Sequence, residues 1–237
     1  MSSTAETNRP DDRKAELSGI AEWAHDSFTN THRSREEALR VSREIVRSSA
    51  NSIRATHRGE SEHARSLLEE VRASASQLDG LRHDHPAVYY AGYVEDALKE
   101  YAEASATVAF AEGTRLPTPD DLGVGAAPYL NGLAEAVGEL RRFILDLLRR
   151  DDVGRCEELL GIMDEVYTVL VSMDFPDAVT RGLRRSTDMA RGVLERTRGD
   201  LTLALRQRSL EARLAAFQET VGGGRVKTYA FPSRDRA

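Results

Sequence analysis

The chain has 237 residues and a net charge of −6, with 40% hydrophobic, 30% charged and 6% aromatic residues. This balance excludes a disordered or fibrous chain, weighs against an aromatic-rich β-sandwich, and argues against non-specific nucleic-acid binding over the whole surface. With Cys156 as its one cysteine, the chain can form neither an internal disulfide nor a cysteine-based zinc cage. No run approaches the roughly 18 consecutive apolar residues of a membrane span. The opening MSSTAETNRPDDRK lacks the basic-then-apolar order of a signal peptide, so the expected location is cytoplasmic.

Apolar residues recur at helical spacing, punctuated by glycine and proline. The first predicted helix runs from about Asp11 to His57, bent near Thr29 to Ser34, where Ser34 and Glu37 have capping-box spacing, and Gly59 stops it. The second, about Glu60 to Leu78, carries Leu67, Leu68, Val71 and Leu78 on one side and is followed by Gly80. Pro86 opens a third, to about Glu112, with Tyr90, Val94, Leu98, Tyr101, Ala104 and Val108 in one stripe. Residues 114 to 128, TRLPTPDDLGVGAAP, read as a structured loop with one turn begun at Thr118-Pro119. A fourth helix from about Pro128 to Arg150 turns Leu133, Leu140, Phe143, Ile144 and Leu147 inward. Asp152 caps a fifth over about 153 to 172, and a last helical stretch spans about Gly182 to Thr220. The expected architecture is all-α: one domain over 11–220, a bundle of about six to seven long antiparallel helices, between a disordered N-terminus (1–10) and a flexible tail (221–237). Leftover helix faces are available to join subunits.

The sequence lacks a Gly-rich phosphate loop with Lys-Ser/Thr, H-E-x-x-H, G-x-S-x-G, and G-x-G-x-x-G after a strand, which removes those enzyme classes. The histidines show no i,i+4 pairing and read as surface or capping residues, and the acidic context RCEEL disfavours a reactive thiolate at Cys156. Carboxylates are more informative. Glu100 and Glu103 in KEYAEA, and Glu135 and Glu139 in AEAVGEL, each project from one side of their helix. Facing one another across antiparallel helices, they would form an all-oxygen site suited to Mg²⁺ or Mn²⁺. Equally, they could be an ordinary solvated face, with Glu139 paired to Arg142. All four lie off the apolar stripes, so they face either solvent or an internal polar cavity.

Arg33, Arg40, Arg47 and Arg54 recur at sevens beside Leu39, Val46 and Ile53, with Arg43, His57 and Arg58 nearby. Such a cationic line could receive a phosphate backbone, or its arginines could flank a packed seam and pair with neighbouring glutamates. In the last helix Arg181, Arg184, Arg185, Arg191, Arg196 and Arg198 interleave with Asp188, Glu195 and Asp200, a pattern closer to a salt-bridged interface. Neither patch has the aromatic interleaving of a base-stacking platform.

Taken in order, REEALRVSREIV, Tyr89-Tyr90, EYAEA, AEGTRLPTPDDLGV, APYLNGLAEAVGELRR and LRRSTDMARGVLERTRGDL resemble the translin family, which comprises translin and translin-associated factor X. The resemblance covers about Arg35 to about Arg206, and YLNGLAEAVGELRR is its most specific piece. It implies a helical subunit of an octamer-like ring or shell that binds single-stranded RNA or DNA. In the translin-associated factor X branch it further implies a Mg²⁺-dependent endoribonuclease site, written E-Y-x-E-A together with D/E-x-x-x-E. Glu100 and Glu103 match the first motif and Glu135 and Glu139 the second, which draws the chain toward the catalytic branch. Ser105-Ala106-Thr107 stands where that branch carries an aromatic. The resulting expectation is a homo-oligomeric endoribonuclease using Mg²⁺ or Mn²⁺ at these four glutamates, with Arg40, Arg47, Arg54, His57 and Arg58 contacting nucleic acid. The alternatives are a non-catalytic translin-type ring and a helical assembly scaffold.

Overall fold

The computed structural model describes residues 10–150 and 152–222, and every regular element among them is helical. Six long helices, α1 (Pro10–His57), α2 (Ser61–Asp84), α4 (Gly92–Glu112), α6 (Ala126–Leu148), α7 (Val153–Val171) and α9 (Leu183–Gly222), make the bundle. Three single turns, α3 (Pro86–Tyr89), α5 (Pro119–Leu122) and α8 (Asp177–Thr180), form corners. Apart from the first residue of α1 and the end of α9, the expected disordered N-terminus and flexible tail lie outside the described residues. No helix among the described residues is long and apolar enough to cross a membrane.

Four boundaries differ from the sequence expectation, each for a local reason. α1 continues through the bend expected at Thr29 to Ser34. Glu37 pairs with Arg40 (Arg40 Nε to Glu37 Oε2, 3.0 Å), and Arg40 also reaches Glu44 at 2.7 Å, so i,i+3 and i,i+4 contacts carry the helix where a cap would have broken it. α2 runs through Gly80, whose surroundings are open, and ends at His85, which leaves helical geometry (φ −139) because Pro86 follows. The third predicted helix is split by Ala91, extended at ψ 145, which takes Tyr90 out of the stripe and leaves it exposed. The core face of α1 is Ala38, Val41, Ile45, Ser49 and Ser52, offset from the expected Leu39, Val46 and Ile53 line, of which Ile53 alone is buried. Elsewhere the expectations hold: the turn begun at Thr118-Pro119 forms, closed by a reciprocal capping box of Thr118 with Asp121, and the predicted cap Asp152 accepts from the Arg155 amide.

The packing is organised around α4 and α6. α4 also contacts α1 and α2, while α6 also contacts α7 and α9, so the two lie back to back at the centre. From Tyr101 to Ala109 every residue of α4 is buried, including Ser105-Ala106-Thr107, whose small side chains let neighbouring helices close in. The tightest approach is at Gly132 of α6. A Cβ there would lie 2.6 Å from the Lys99 carbonyl oxygen, 2.8 Å from Ala102 Cβ and 2.8 Å from the Glu103 amide nitrogen. Because two of these atoms are backbone, the clash cannot be relieved by a side-chain rotation.

The far ends of two helices leave the bundle. The α1 segment before Ser34 exposes Leu17, Ile20, Trp23 and Phe28, and α9 beyond Leu201 exposes Leu203, Leu210, Leu214 and Phe217. Several large apolar side chains exposed on one helix end are what a covering surface would bury. Gly132→Ala is expected to lower stability by about 1–3 kcal/mol in urea unfolding, as overpacking does. A variant as stable as the wild type would contradict the close contact of α4 with α6.

Candidate metal centre

The contact at Gly132 fixes the register of α4 against α6 and so decides which side chains meet between them. One turn apart on α4, Glu100 and Glu103 face Glu135 of α6, and the three can each offer one carboxylate oxygen such that all lie within 4.8 Å of one another. Glu103 is the deepest, 9% exposed, and among the described residues no hydrogen-bond donor reaches it. Its carboxyl is pushed up to about 8, first by burial and then by the like charges of Glu100, Glu135 and Glu139, with Lys99 partly opposing.

Lys99 is the counterweight to this negative charge. Its ammonium Nζ donates to both oxygens of Glu135 at 2.7 Å and lies 3.3 Å from Glu100 Oε1. Burial alone would lower the lysine pKa, but Glu135 and Glu100 outweigh it and hold it above the ordinary value. Glu139, one turn beyond Glu135, turns away from the trio to hydrogen-bond His57 Nε2 at the end of α1. That bond, helped by Arg142, keeps the Glu139 carboxyl below its usual range although burial opposes it. The His57 ring is clamped by Phe143, stacked at 4.1 Å and 21°.

Three of the four sequence-predicted acids therefore meet, and the fourth stands beside them in a histidine pair. His57, expected among the nucleic-acid contacts, has a side chain only 4% exposed and belongs to this acidic site. Along the arginine line Arg40 is held by Glu37 and Glu44, Arg58 by Glu60 at 2.8 Å, and Arg54 donates to Asn51. Arg33 and Arg47 are exposed and have no side-chain partner among the described residues. Sequence reasoning passed over Lys99, Phe143 as a clamp, and Gly132. A glycine in an otherwise strong helical pattern was the one signal pointing to a close approach. Cys156 is buried and its thiol is raised by burial and by Asp152 and Glu157, in keeping with an unreactive thiol.

An all-helical bundle whose central helix pair encloses an acidic cluster defines the class. No family model matches the chain. It is 30% identical over 185 residues to the uncharacterized protein MJ0175 of Methanocaldococcus jannaschii, covering 78% of this chain and 82% of that protein. Among solved structures, AfC3PO superposes with a TM-score of 0.75 at 34% identity, over 80% of this chain and 98% of its own, and AfC3PO in complex with duplex RNA gives 0.76 at the same identity and coverage. Apo-NeC3PO gives 0.70 at 20% identity, over 78% of this chain and 96% of its own, a likeness of fold. The chain belongs to the translin family.

A pH dependence follows from Glu103. Its carboxyl titrates at about 8 in the folded protein against 4.5 as an ordinary glutamate, so the native state keeps a proton that the unfolded chain gives up. This contribution to stability is complete below the unfolded value and is lost as pH rises through about 8. In EDTA, wild-type stability should therefore fall across that window, and Glu103→Gln should flatten the slope. Equal slopes in urea unfolding at stepped pH would show that Glu103 ionises freely.

Proposed function

We propose that the protein is a homo-oligomeric, metal-dependent endoribonuclease acting on single-stranded RNA. The observation that carries this reading is the convergence of Glu100, Glu103 and Glu135, with Glu103 buried among like charges and given no donor. The donor set is all oxygen, as hard divalent cations require, and a cation there would offset the burial and the like charges that keep Glu103 protonated. Glu100, Glu103 and Glu135 would hold Mg²⁺ or Mn²⁺. Such an ion, when bound, acidifies water and neutralises charge developing on a phosphodiester.

The chain's own residues do the rest. Lys99 keeps its ammonium against Glu135 and Glu100, tempering the charge of the trio and fixing the Glu135 rotamer. His57 orients the Glu139 carboxylate and keeps it ionised, which suits Glu139 to accept a proton from an attacking water. Phe143 holds the His57 ring in that pose. Arg47, Arg54 and the free Arg33 supply backbone contacts on the outer face of α1, which position a strand without reading its sequence. Arg40 and Arg58 can join them only by exchanging their glutamate partners.

A nucleic-acid ligand is supported by AfC3PO, whose structure is known in complex with duplex RNA. Self-assembly is supported by the apolar ends of α1 and α9, which a second subunit would cover, in keeping with the ring or shell expected from the family. A non-catalytic carrier is the second reading, favoured by Lys99, which already gives two of the three carboxylates a partner.

End-labelled single-stranded and duplex RNA, incubated with Mg²⁺, Mn²⁺ or EDTA, separate the two. The endoribonuclease is expected to cut the single strand in either metal, to be silent in EDTA, and to lose cleavage but not RNA binding in Glu100→Ala/Glu139→Ala. RNA affinity should fall with salt at roughly 0.7 log unit per log unit of salt for each phosphate contacted. Metal-independent binding without any cleavage would instead select the carrier.

A further inference from the structure

Beside the acidic cluster lies a cavity of about 480 Å³, bounded by the beginnings of α4, α6 and α9. It shares Lys99 and Glu135 with the cluster, and Arg181 and Arg185 form its opposite wall. Arg181 is the one non-glycine residue among those described with left-handed backbone geometry, φ 54. Glycine would adopt that geometry without strain, so the position carries a guanidinium at a cost in backbone energy, a mark of functional placement. The guanidinium reaches across to α4, with Nε 2.9 Å from Glu95 Oε2 and Nη2 donating to the Tyr90 carbonyl at 3.5 Å.

Arg185 is different. Its side chain faces the cavity and has no hydrogen-bond or ion-pair partner among the described residues. The corner that presents it is fixed: Ser186 Oγ donates to Asn131 Oδ1 at 2.7 Å, and Asn131 Nδ2 donates to the Thr180 and Ala127 carbonyls. Three carboxylates also line the cavity. Two of them are ion-paired, Glu135 with Lys99 and Glu95 with Arg181, and Asp96 makes no ion pair with Arg185 among the described residues. The N-terminal end of α4, entering at Gly92, turns its positive dipole end toward the cavity, while the Arg185 and Ser186 amides of α9 are taken by the Gly182 carbonyl at 3.0 and 3.4 Å.

We infer that this cavity is a phosphate subsite, which receives the phosphate of a nucleotide adjoining the phosphodiester held at the acidic cluster. The inference rests on the proposed function for the identity of the strand. The Arg185 guanidinium supplies the donors, the positive end of α4 adds to it, Arg181 braces the wall, and Lys99 spans the two sites.

Calorimetric titration of the wild-type protein with adenosine 5′-monophosphate in EDTA, with adenosine as the control, tests it without recourse to metal or cleavage. The nucleotide should bind and the nucleoside should not. Arg185→Gln should weaken nucleotide binding about tenfold, the range of one charge-assisted hydrogen bond. Arg184→Gln is the matched control, because Arg184 is also exposed and without a partner but lines a different cavity, and it should bind as the wild type does. Arg181→Gly, which relaxes the backbone, should also weaken binding. Equal losses in the Arg184 and Arg185 variants, an unchanged Arg185 variant, or no nucleotide binding by the wild type would overturn the subsite. Nucleotide binding through Arg185 in a protein that cuts no RNA would defeat the proposed function and leave the subsite standing.

Discussion

The backbone contact of α4 with α6 at Gly132 is the constraint on which the site depends. With no side chain at that position, the Lys99 carbonyl and the Glu103 amide come within reach of the α6 backbone. Any larger residue would separate the helices and open the gap between Glu103 and Glu135. The alanines and small polar residues through the centre of α4 serve the same end, since they let α1 and α2 press in from behind. Close packing here is a means of placing charge.

That charge is held in an uneven balance. Like charges within 4.8 Å of one another repel by about 3 kcal/mol or more at an effective dielectric of ~20, enough to move a carboxyl by about 2 pH units on top of the larger effect of burial. The chain answers the repulsion in three ways. Lys99 pairs with Glu135 and partly offsets Glu100, His57 stabilises the ionised Glu139, and Glu103 keeps its proton to about pH 8. Carboxylates in one small space thus have different protonation behaviour, set by their neighbours, which is how environments separate acid from base among like groups. Glu103, having no donor, is where an added cation would gain most.

Much of this was legible in the sequence. Long periodic stretches and their punctuation marked the helices, and the caps at Thr118 and Asp152 were identifiable from residue type alone. The spacing of Glu100, Glu103, Glu135 and Glu139 left a solvated face equally open, and the resemblance to the translin family marked them as a site; three of the four meet. What spacing could not convey was anything across helices. Lys99 lies next to Glu100 in the chain, yet its partner is Glu135 on another helix, and His57 reads as one more cation at the end of an arginine line until Phe143 and Glu139 enclose it. The expected bend in α1 failed for the opposite reason: the capping pattern and the ion pairs that override it are equally local, and spacing alone does not rank them.

The most direct test of this account is anomalous diffraction from crystals of the wild-type protein soaked in MnCl₂. The account predicts one strong manganese peak bounded by the carboxylates of Glu100, Glu103 and Glu135, with the Lys99 ammonium shifted off Glu135. Manganese absent from that position, with Lys99 still clasped by Glu135, would show that the acidic cluster is a salt-bridged strut of the bundle and that the metal-dependent reading is wrong.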